Sequence, residues 1–222
     1  MNYRLPAEVK AILDKFREAR FQVFIVGGAI RDLLMAKNVS DWDFTTDAKP
    51  EEILALFTAG FYDNKFGTVG IPVGAQTFEI TTMRKEDDYK DFRHPTQVSW
   101  TNKIEEDLAR RDFTINAIAA TVIPVEVGIH LTDPYRGQED LKNKLIRAVG
   151  NPNKRFQEDA LRLMRAIRIA TQLGFEIEKE TLQAIRENAH LIKEIAHDRL
   201  RDELFKTLAS DNPYQGMIKL RE

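Results

Sequence analysis

Asp41 and Asp43 stand one residue apart, downstream of a glycine pair, Gly27-Gly28. An apolar, β-rich run (residues 21–26) leads into the glycines. A short helical pattern (28–34) follows, and then Asp-Trp-Asp-Phe-Thr-Thr (41–46). Alternate residues of a strand share a face, so a strand over 41–46 points both carboxylates the same way and lets them hold divalent cations between them. Glycines let backbone approach a phosphate, and a helix N-terminus favours its charge. Metal beside a triphosphate is the chemistry of nucleotidyl transfer. Glu79 is a third candidate carboxylate. In Gln-Thr-Phe-Glu-Ile-Thr-Thr (76–82), Phe78 and Ile80 take one face, and Thr77, Glu79 and Thr81 the other. An acid in a central strand needs a partner or a metal, whereas a strand with one wet face needs neither. The glycine pair is not the dinucleotide fingerprint, because the G-x-G-x-x-G spacing is absent.

Two further constellations carry charge beside apolar runs. Arg110-Arg111-Asp112-Phe113-Thr114-Ile115-Asn116 suits ribose-hydroxyl recognition by Asp112 and phosphate contact by Arg111, or else an ion pair between elements. Over 158–168 the chain reads Glu-Asp-Ala-Leu-Arg-Leu-Met-Arg-Ala-Ile-Arg. On a helix, Asp159 and Arg162 are surface neighbours, and Arg165 and Arg168 continue that side at steps of three. The bland alternative is a structural ion-pair ladder.

The elements that must position these groups follow from periodicity. A helix is expected over 6–20, strands over 22–26 and 41–46, and a helix over 51–57 started by Pro50. Residues 66–73 and 76–84 form a hairpin about Gly74-Ala75. Residues 85–95 are charged and aromatic without a period and read as a mobile loop. A short helix (104–111), a partly β-like run (115–123), and short strands (130–132, 145–149) around a helix (137–142) follow. Beyond Gly150 the character turns helical, with helices over 156–173 closed by Gly174, 181–192, 198–208 and 213–222. The expected organisation is a mixed α/β part over 1–148 and an all-helical part over 149–222.

Bulk properties narrow the function class. The 222 residues are 43% hydrophobic and 31% charged, which suits a soluble globular protein. With no cysteine, neither disulfides nor thiolate metal sites are possible. Apolar runs such as Val23–Val26 are far too short to span a bilayer, and the N-terminus lacks a signal-peptide core, so a cytoplasmic protein is expected. The net charge of −2 excludes a uniformly basic nucleic-acid binder. Between Lys142 and Gln172, however, eight basic residues face two acidic ones, a stripe that can bind phosphates or form a solvated face.

The ordered set Gly-Gly-Ala-Ile-Arg-Asp (27–32), Asp-Trp-Asp (41–43), Arg-Arg-Asp-Phe-Thr-Ile-Asn-Ala (110–117), Asp-Pro-Tyr-Arg-Gly (133–137) and Glu-Asp-Ala-Leu-Arg-Leu-Met-Arg (158–165) resembles the class II tRNA nucleotidyltransferases, the bacterial-type CCA-adding enzymes and their poly(A) polymerase relatives. The likeness runs from about Phe24 to Leu208. It implies an α/β fold: a polymerase β-like nucleotidyltransferase head with a mixed sheet, followed by an all-helical neck. It also implies that Asp41 and Asp43 are the metal-binding catalytic carboxylates, with Glu79 a third acid near them. Gly28 and Arg31 match the triphosphate turn, and Arg111 and Asp112 the ribose and phosphate motif. Asp159, Arg162, Arg165 and Arg168 match the helix that selects the incoming nucleotide. The implied cofactor is Mg2+, as a pair of ions. The implied partners are the tRNA 3′ end, CTP and ATP, with no membrane.

Base selection then has a simple logic. Cytosine and adenine each present an amino donor beside a ring-nitrogen acceptor, whereas uracil and guanine present the reverse. A carboxylate and a guanidinium side by side accept the first pattern and reject the second. The expected activity is template-independent addition of C and A to tRNA 3′ ends. The rivals are an A-adding enzyme or poly(A) polymerase of the same family, and a non-catalytic nucleotide- or RNA-binding module. Two departures stand out. The family's body and tail are expected to be missing from this sequence, and Asp198 stands where the family more often has Glu. The full-length 85–98 segment argues against CC-only addition.

Overall fold

The computed structural model describes residues 5–64, 67–74, 76–89, 92, 95–123 and 128–221. Phe66 and Ala75 of the expected hairpin, and Asp91 and Arg93 of the expected loop, lie outside the described residues. The chain divides into two compact units, each drawn from three stretches.

The first unit comprises residues 1–85, 98–110 and 116–134. It contains α1 (Ala7–Glu18), β1 (Val23–Val26), α2 (Gly28–Leu34), β2 (Asp43–Thr46), α3 (Pro50–Leu56), β3 (Phe61–Asn64), β4 (Thr68–Val73) and β5 (Gln76–Thr82). After a separate two-stranded ribbon, β6 (Arg84–Tyr89) with β7 (Pro95–Trp100), whose residues 86–89 and 95–97 belong to the second unit, it continues with α4 (Ile104–Ala109), β8 (Ala119–Ile123) and β9 (Gly128–Thr132). The seven-stranded sheet runs β3-β4-β5-β2-β1-β8-β9. Only β2 and β5 pair in parallel, so the sheet is mixed, as expected.

Helix α1 buries Val9, Ile12, Leu13 and Phe16, the stripe that its 3.6-residue period sets out. Helix α3 starts at Pro50, where the missing N–H costs nothing, and the Glu52 carboxylate accepts from the Lys49 amide at 2.7 Å. On one sheet face Phe44 and Phe78 meet with ring centroids 6.2 Å apart, beside the fully buried Ile80. Each such burial is worth about 2–3 kcal/mol. A one-residue slip would turn these rings outward and the acids inward, so the core residues also fix the register of the acids.

Strand β6 takes up residues 85–89 of the expected mobile loop over 85–95, and β7 begins at Pro95. The ribbon's sequence has no apolar alternation to announce a strand, because the pairing satisfies backbone groups without burying an apolar face.

The second unit comprises residues 86–97, 111–115 and 135–222. Its elements are α5 (Gly137–Lys142), β10 (Leu145–Ile146), α6 (Pro152–Glu158), α7 (Leu161–Leu173), β11 (Glu176–Ile177), α8 (Lys179–Asn188), α9 (His197–Leu208) and α10 (Pro213–Arg221). Strands β10 and β11 pair in parallel. Asn151 caps α6 by accepting from the Lys154 amide at 3.0 Å, and Gly174 ends α7 in the left-handed conformation at φ 68°. The expected single helix over 156–173 is broken. Asp159 is extended (φ −140°, ψ 105°), and the Ala160 amide donates to the Phe92 carbonyl at 3.1 Å. Among the described residues, no helix is long and apolar enough to cross a membrane.

Candidate active site

The carboxylates of the first unit are ordered by sheet register. Asp43 opposes Glu79 across the parallel β2–β5 pair and Val26 across the antiparallel β1–β2 pair. Register partners share a face, so Asp43 and Glu79 project from the same side of neighbouring strands. Asp43 is half-buried and Glu79 exposed. Thr45, two residues on from Asp43, donates its hydroxyl to the Thr81 carbonyl at 3.1 Å and keeps that face polar.

Asp41 departs from the expected placement. The strand begins at Asp43, and Asp41 lies in the connection before it. The cause is Gly27. With Val26 opposite Asp43, the next position on β1 belongs to a turn at φ 69°, so β1 has no strand left to pair with Trp42 or Asp41. Exposure still alternates, from exposed Asp41 through buried Trp42 to half-buried Asp43.

Gly27 takes the positive φ that a side chain would resist, and Gly28 opens α2. A Cβ at Gly28 would lie 3.4 Å from Arg31 Nη2, an ordinary contact. Arg31 is held by two residues not singled out from sequence. Asp32 accepts from Nε and Nη2 at 2.8 and 3.0 Å, and Asn116 Oδ1 accepts from Nη1 at 3.0 Å. Both belong to the quoted motifs, so the signal was present, but only a fold could join residues 85 apart.

In the second unit, Asp112 is set by a short antiparallel bridge between Phe113 and Ala148. The Val149 amide donates to the Asp112 carbonyl at 3.0 Å, and the Thr114 amide to the Arg147 carbonyl at 2.9 Å. The buried Asp112 carboxylate accepts from the Phe113 amide at 2.8 Å, and from Arg165 Nε and Nη2 at 2.8 and 2.6 Å. The neighbouring Asp112 charge raises the Arg165 pKa above the ordinary arginine value despite desolvation.

Asp159 and Arg162 do not form the side-chain pair expected from helical spacing. The Asp159 carboxylate accepts from Arg199 at 3.2 and 3.4 Å and from the Leu161 amide at 3.1 Å, which starts α7. Arg162 donates instead to buried Glu158 at 2.8 Å and to the Arg155 carbonyl at 3.1 Å. Glu158 also accepts from Arg155 at 2.7 Å. Arg168 donates to Glu203 at 2.5 Å and to Gln172 at 2.8 Å.

The basic stretch 142–172 is therefore not a free phosphate-gripping stripe. Arg147 pairs with Asp140 and Glu178, and Arg155, Arg162, Arg165 and Arg168 pair as above, which leaves Lys142, Lys144 and Lys154 as its exposed cations.

Among the described residues, no group of three or more His, Cys, Asp or Glu side chains is placed to hold a metal ion. Asp43 and Glu79 place hard oxygen donors on one sheet face. Such donors suit a divalent cation that takes one or two carboxylates and completes its shell with water and substrate phosphates.

Residues 23–147 match the poly(A) polymerase head domain family, and residues 174–222 match a domain described as the probable RNA- and SrmB-binding site of polymerase A. The chain belongs to the class II tRNA nucleotidyltransferase family. Its matched stretches are the head and neck region of that family, whose members generally depend on a divalent metal. The CCA-adding enzyme of Lactobacillus helveticus is 45% identical over 196 residues, covering 88% of this chain and 48% of the relative. That of Ligilactobacillus salivarius is 43% identical over 217 residues, covering 96% and 52%. The crystal structure of the Bacillus stearothermophilus CCA-adding enzyme in complex with CTP superposes with a TM-score of 0.86 at 36% identity, covering 96% of this chain and 51% of that one. The chain thus spans about half the length of the curated relatives it matches.

Proposed function

We propose that this chain carries the nucleotide-adding chemistry of a cytoplasmic CCA-adding enzyme, with residues 1–148 as catalytic head and 149–222 as nucleotide-selecting neck. A tRNA 3′-hydroxyl attacks the α-phosphate of CTP or ATP, and pyrophosphate leaves. The observation that carries this reading is the register of Asp43 with Glu79, two acids on one sheet face beside the Gly27 turn.

Each residue's task follows from its chemistry. Asp41 and Asp43 hold the divalent metal, Mg2+ by the hardness of the donors, and Glu79 adds negative charge at its edge. Bound there, the metal lowers the pKa of the attacking hydroxyl and offsets charge on the leaving group. Gly28 and Arg31 take the triphosphate. Asp32 and Asn116 hold the guanidinium in one orientation, so little side-chain entropy is lost on binding. Arg111 and Asp112 take phosphate and ribose, with Arg165 fixing the Asp112 carboxylate and Arg168 steadying α7 from Glu203.

Asp159 and Arg162 read the base by donor and acceptor polarity. Each is held by its own partner, Arg199 or Glu158, rather than by the other. The incoming base then meets two groups already aimed, and a mismatched base leaves polar groups unpaired at about 1–3 kcal/mol each.

The deciding experiment offers tRNA ending at the discriminator base with CTP alone, ATP alone, or both, in Mg2+. CC from CTP and CCA from both supports the proposal. A-tails from ATP alone indicate a poly(A) polymerase, and no metal-dependent extension indicates a binding module.

A further inference from the structure

The row of register partners through the two acids crosses the whole sheet: Phe61 (β3), Gly70 (β4), Glu79 (β5), Asp43 (β2), Val26 (β1), Ala119 (β8) and Thr132 (β9). All seven side-chain positions share one face. Toward β1 that face is closed, with Val26 at 1% and Ala119 at 0% exposure. Toward β3 it is open, and Phe61 is 49% exposed. The Phe61 ring reaches over the row because its neighbour is a glycine. A Cβ at Gly70 would collide with the Phe61 ring. The result is an aromatic surface on the carboxylate face, anchored on β3 and reaching over Gly70, the position next to Glu79, one strand spacing or roughly 5 Å away.

The direction of the reaction gives this surface an occupant. Attacking and leaving oxygens lie on opposite sides of the phosphorus. On the nucleotidyl-transfer reading above, on which this inference rests, the triphosphate lies toward the Gly27 turn at the end of β1. The attacking hydroxyl then approaches from the β5–β4–β3 side, where the face is open. We propose that Phe61 stacks against the 3′-terminal nucleobase of the RNA primer and so sets its 3′-hydroxyl over Asp43 and Glu79. Stacking accepts any base, because every base has a π-face. That is the property needed by an enzyme whose primer terminus changes identity with each addition. Covering Gly70 explains where the ring lies. A primer base explains why half of an apolar ring stays open beside two acids.

The test uses fluorescently labelled RNA primers, one ending in a normal nucleotide and one ending in an abasic nucleotide, with binding read by anisotropy at one fixed salt concentration. Metal-dependent CTP incorporation is measured on the same samples. Wild type and Phe61→Tyr are expected to bind the intact primer about tenfold more tightly than the abasic one, about 1.4 kcal/mol. Phe61→Leu still covers Gly70, which keeps the fold, verified by circular dichroism. It lacks a π-face and is expected to bind both primers at the weaker level. A tenfold preference that persists in Phe61→Leu, or its absence in wild type, overturns the stacking role. Failure of wild type to incorporate CTP overturns the transferase reading itself and this inference with it.

Discussion

Glu158 and Asp159 are adjacent acids with opposite assignments, and substituting each tests the division sharply. Glu158 Oε1 accepts from Arg155 Nη2 at 2.7 Å, and Oε2 accepts from Arg162 Nη1 at 2.8 Å. The three side chains are only 9%, 13% and 10% exposed. Burial already holds the Arg155 pKa below the ordinary arginine value, so its charge is costly there and leans on Glu158. Glu158→Gln keeps the shape but leaves two buried guanidiniums facing a neutral amide. Breaking a buried pair from one side costs about 3–5 kcal/mol, and because Gln retains one acceptor the lower end applies, about 3 kcal/mol. With a urea m-value of about 2–3 kcal/mol/M, the midpoint falls by roughly 1 M or more. Asp159 is different. Its contacts with Arg199 are 3.2 and 3.4 Å, and the two side chains are 20% and 27% exposed, so Asp159→Asn costs about 1 kcal/mol or less. Its effect belongs in base choice, with lower use of CTP and ATP and weaker exclusion of UTP and GTP. Urea melts read by far-ultraviolet circular dichroism, paired with kinetics on four nucleotides, check both. If Glu158→Gln leaves the midpoint unchanged, or Asp159→Asn keeps the C and A preference, the division of labour argued from these distances is wrong.

Three other expectations follow from separate parts of the molecule. Asp41→Ala and Asp43→Ala should each lower nucleotide incorporation about a thousandfold or more, the equivalent of several kcal/mol of charge stabilisation at the metal, while circular dichroism stays unchanged; near-normal turnover in Mg2+ would contradict the two-acid site. Burial, and then the Glu86 carboxylate that accepts its hydroxyl, raise the Tyr89 pKa far above the ordinary 10.0. Its stabilising effect is therefore complete below pH 10.0 and lost as pH rises beyond, and in an absorbance titration at 295 nm the highest phenolate step should vanish in Tyr89→Phe. Gly216 on α10 lets Thr207 and Thr171 approach so closely that a Cβ would stand 2.6 Å from Thr207 Cγ2 and 3.1 Å from Thr171 Oγ1, so Gly216→Val should cost about 1–3 kcal/mol, with an unaltered melting midpoint as the contrary result.

What the sequence made legible was local and periodic. The stripe of α1, the hairpin of β4 and β5, and the alternation that separates Phe78 and Ile80 from Glu79 each repeat within a few residues, and the structure places them as expected. What it hid depends on distant partners. Asp43 comes opposite Glu79 through strand pairing, and Arg31 reaches Asn116, only because segments far apart in the chain become neighbours. Asp112 and Arg165 are 53 residues apart, so nothing in the spacing could assign the pair, although each was singled out for its chemistry.

The broken helix at Asp159 is the most instructive case. Helical spacing placed Asp159 beside Arg162, and helix propensity over 156–173 favoured continuity. Two hydrogen bonds outweigh it. One comes from outside the segment, the Phe92 carbonyl accepting from the Ala160 amide. The other is local and was readable, an aspartate side chain accepting from the amide two residues on, which competes with helix formation. The consequence is chemical. Freed from the helix surface, Asp159 turns to Arg199 on α9, and Arg162 turns to Glu158 at the end of α6. Had Asp159 and Arg162 closed on each other, an incoming base would first have to part them. Held by separate partners, the two need not be parted from each other before a base arrives. The break in the helix is what separates the two groups, and the Asp159→Asn kinetics test the base-reading role proposed for them.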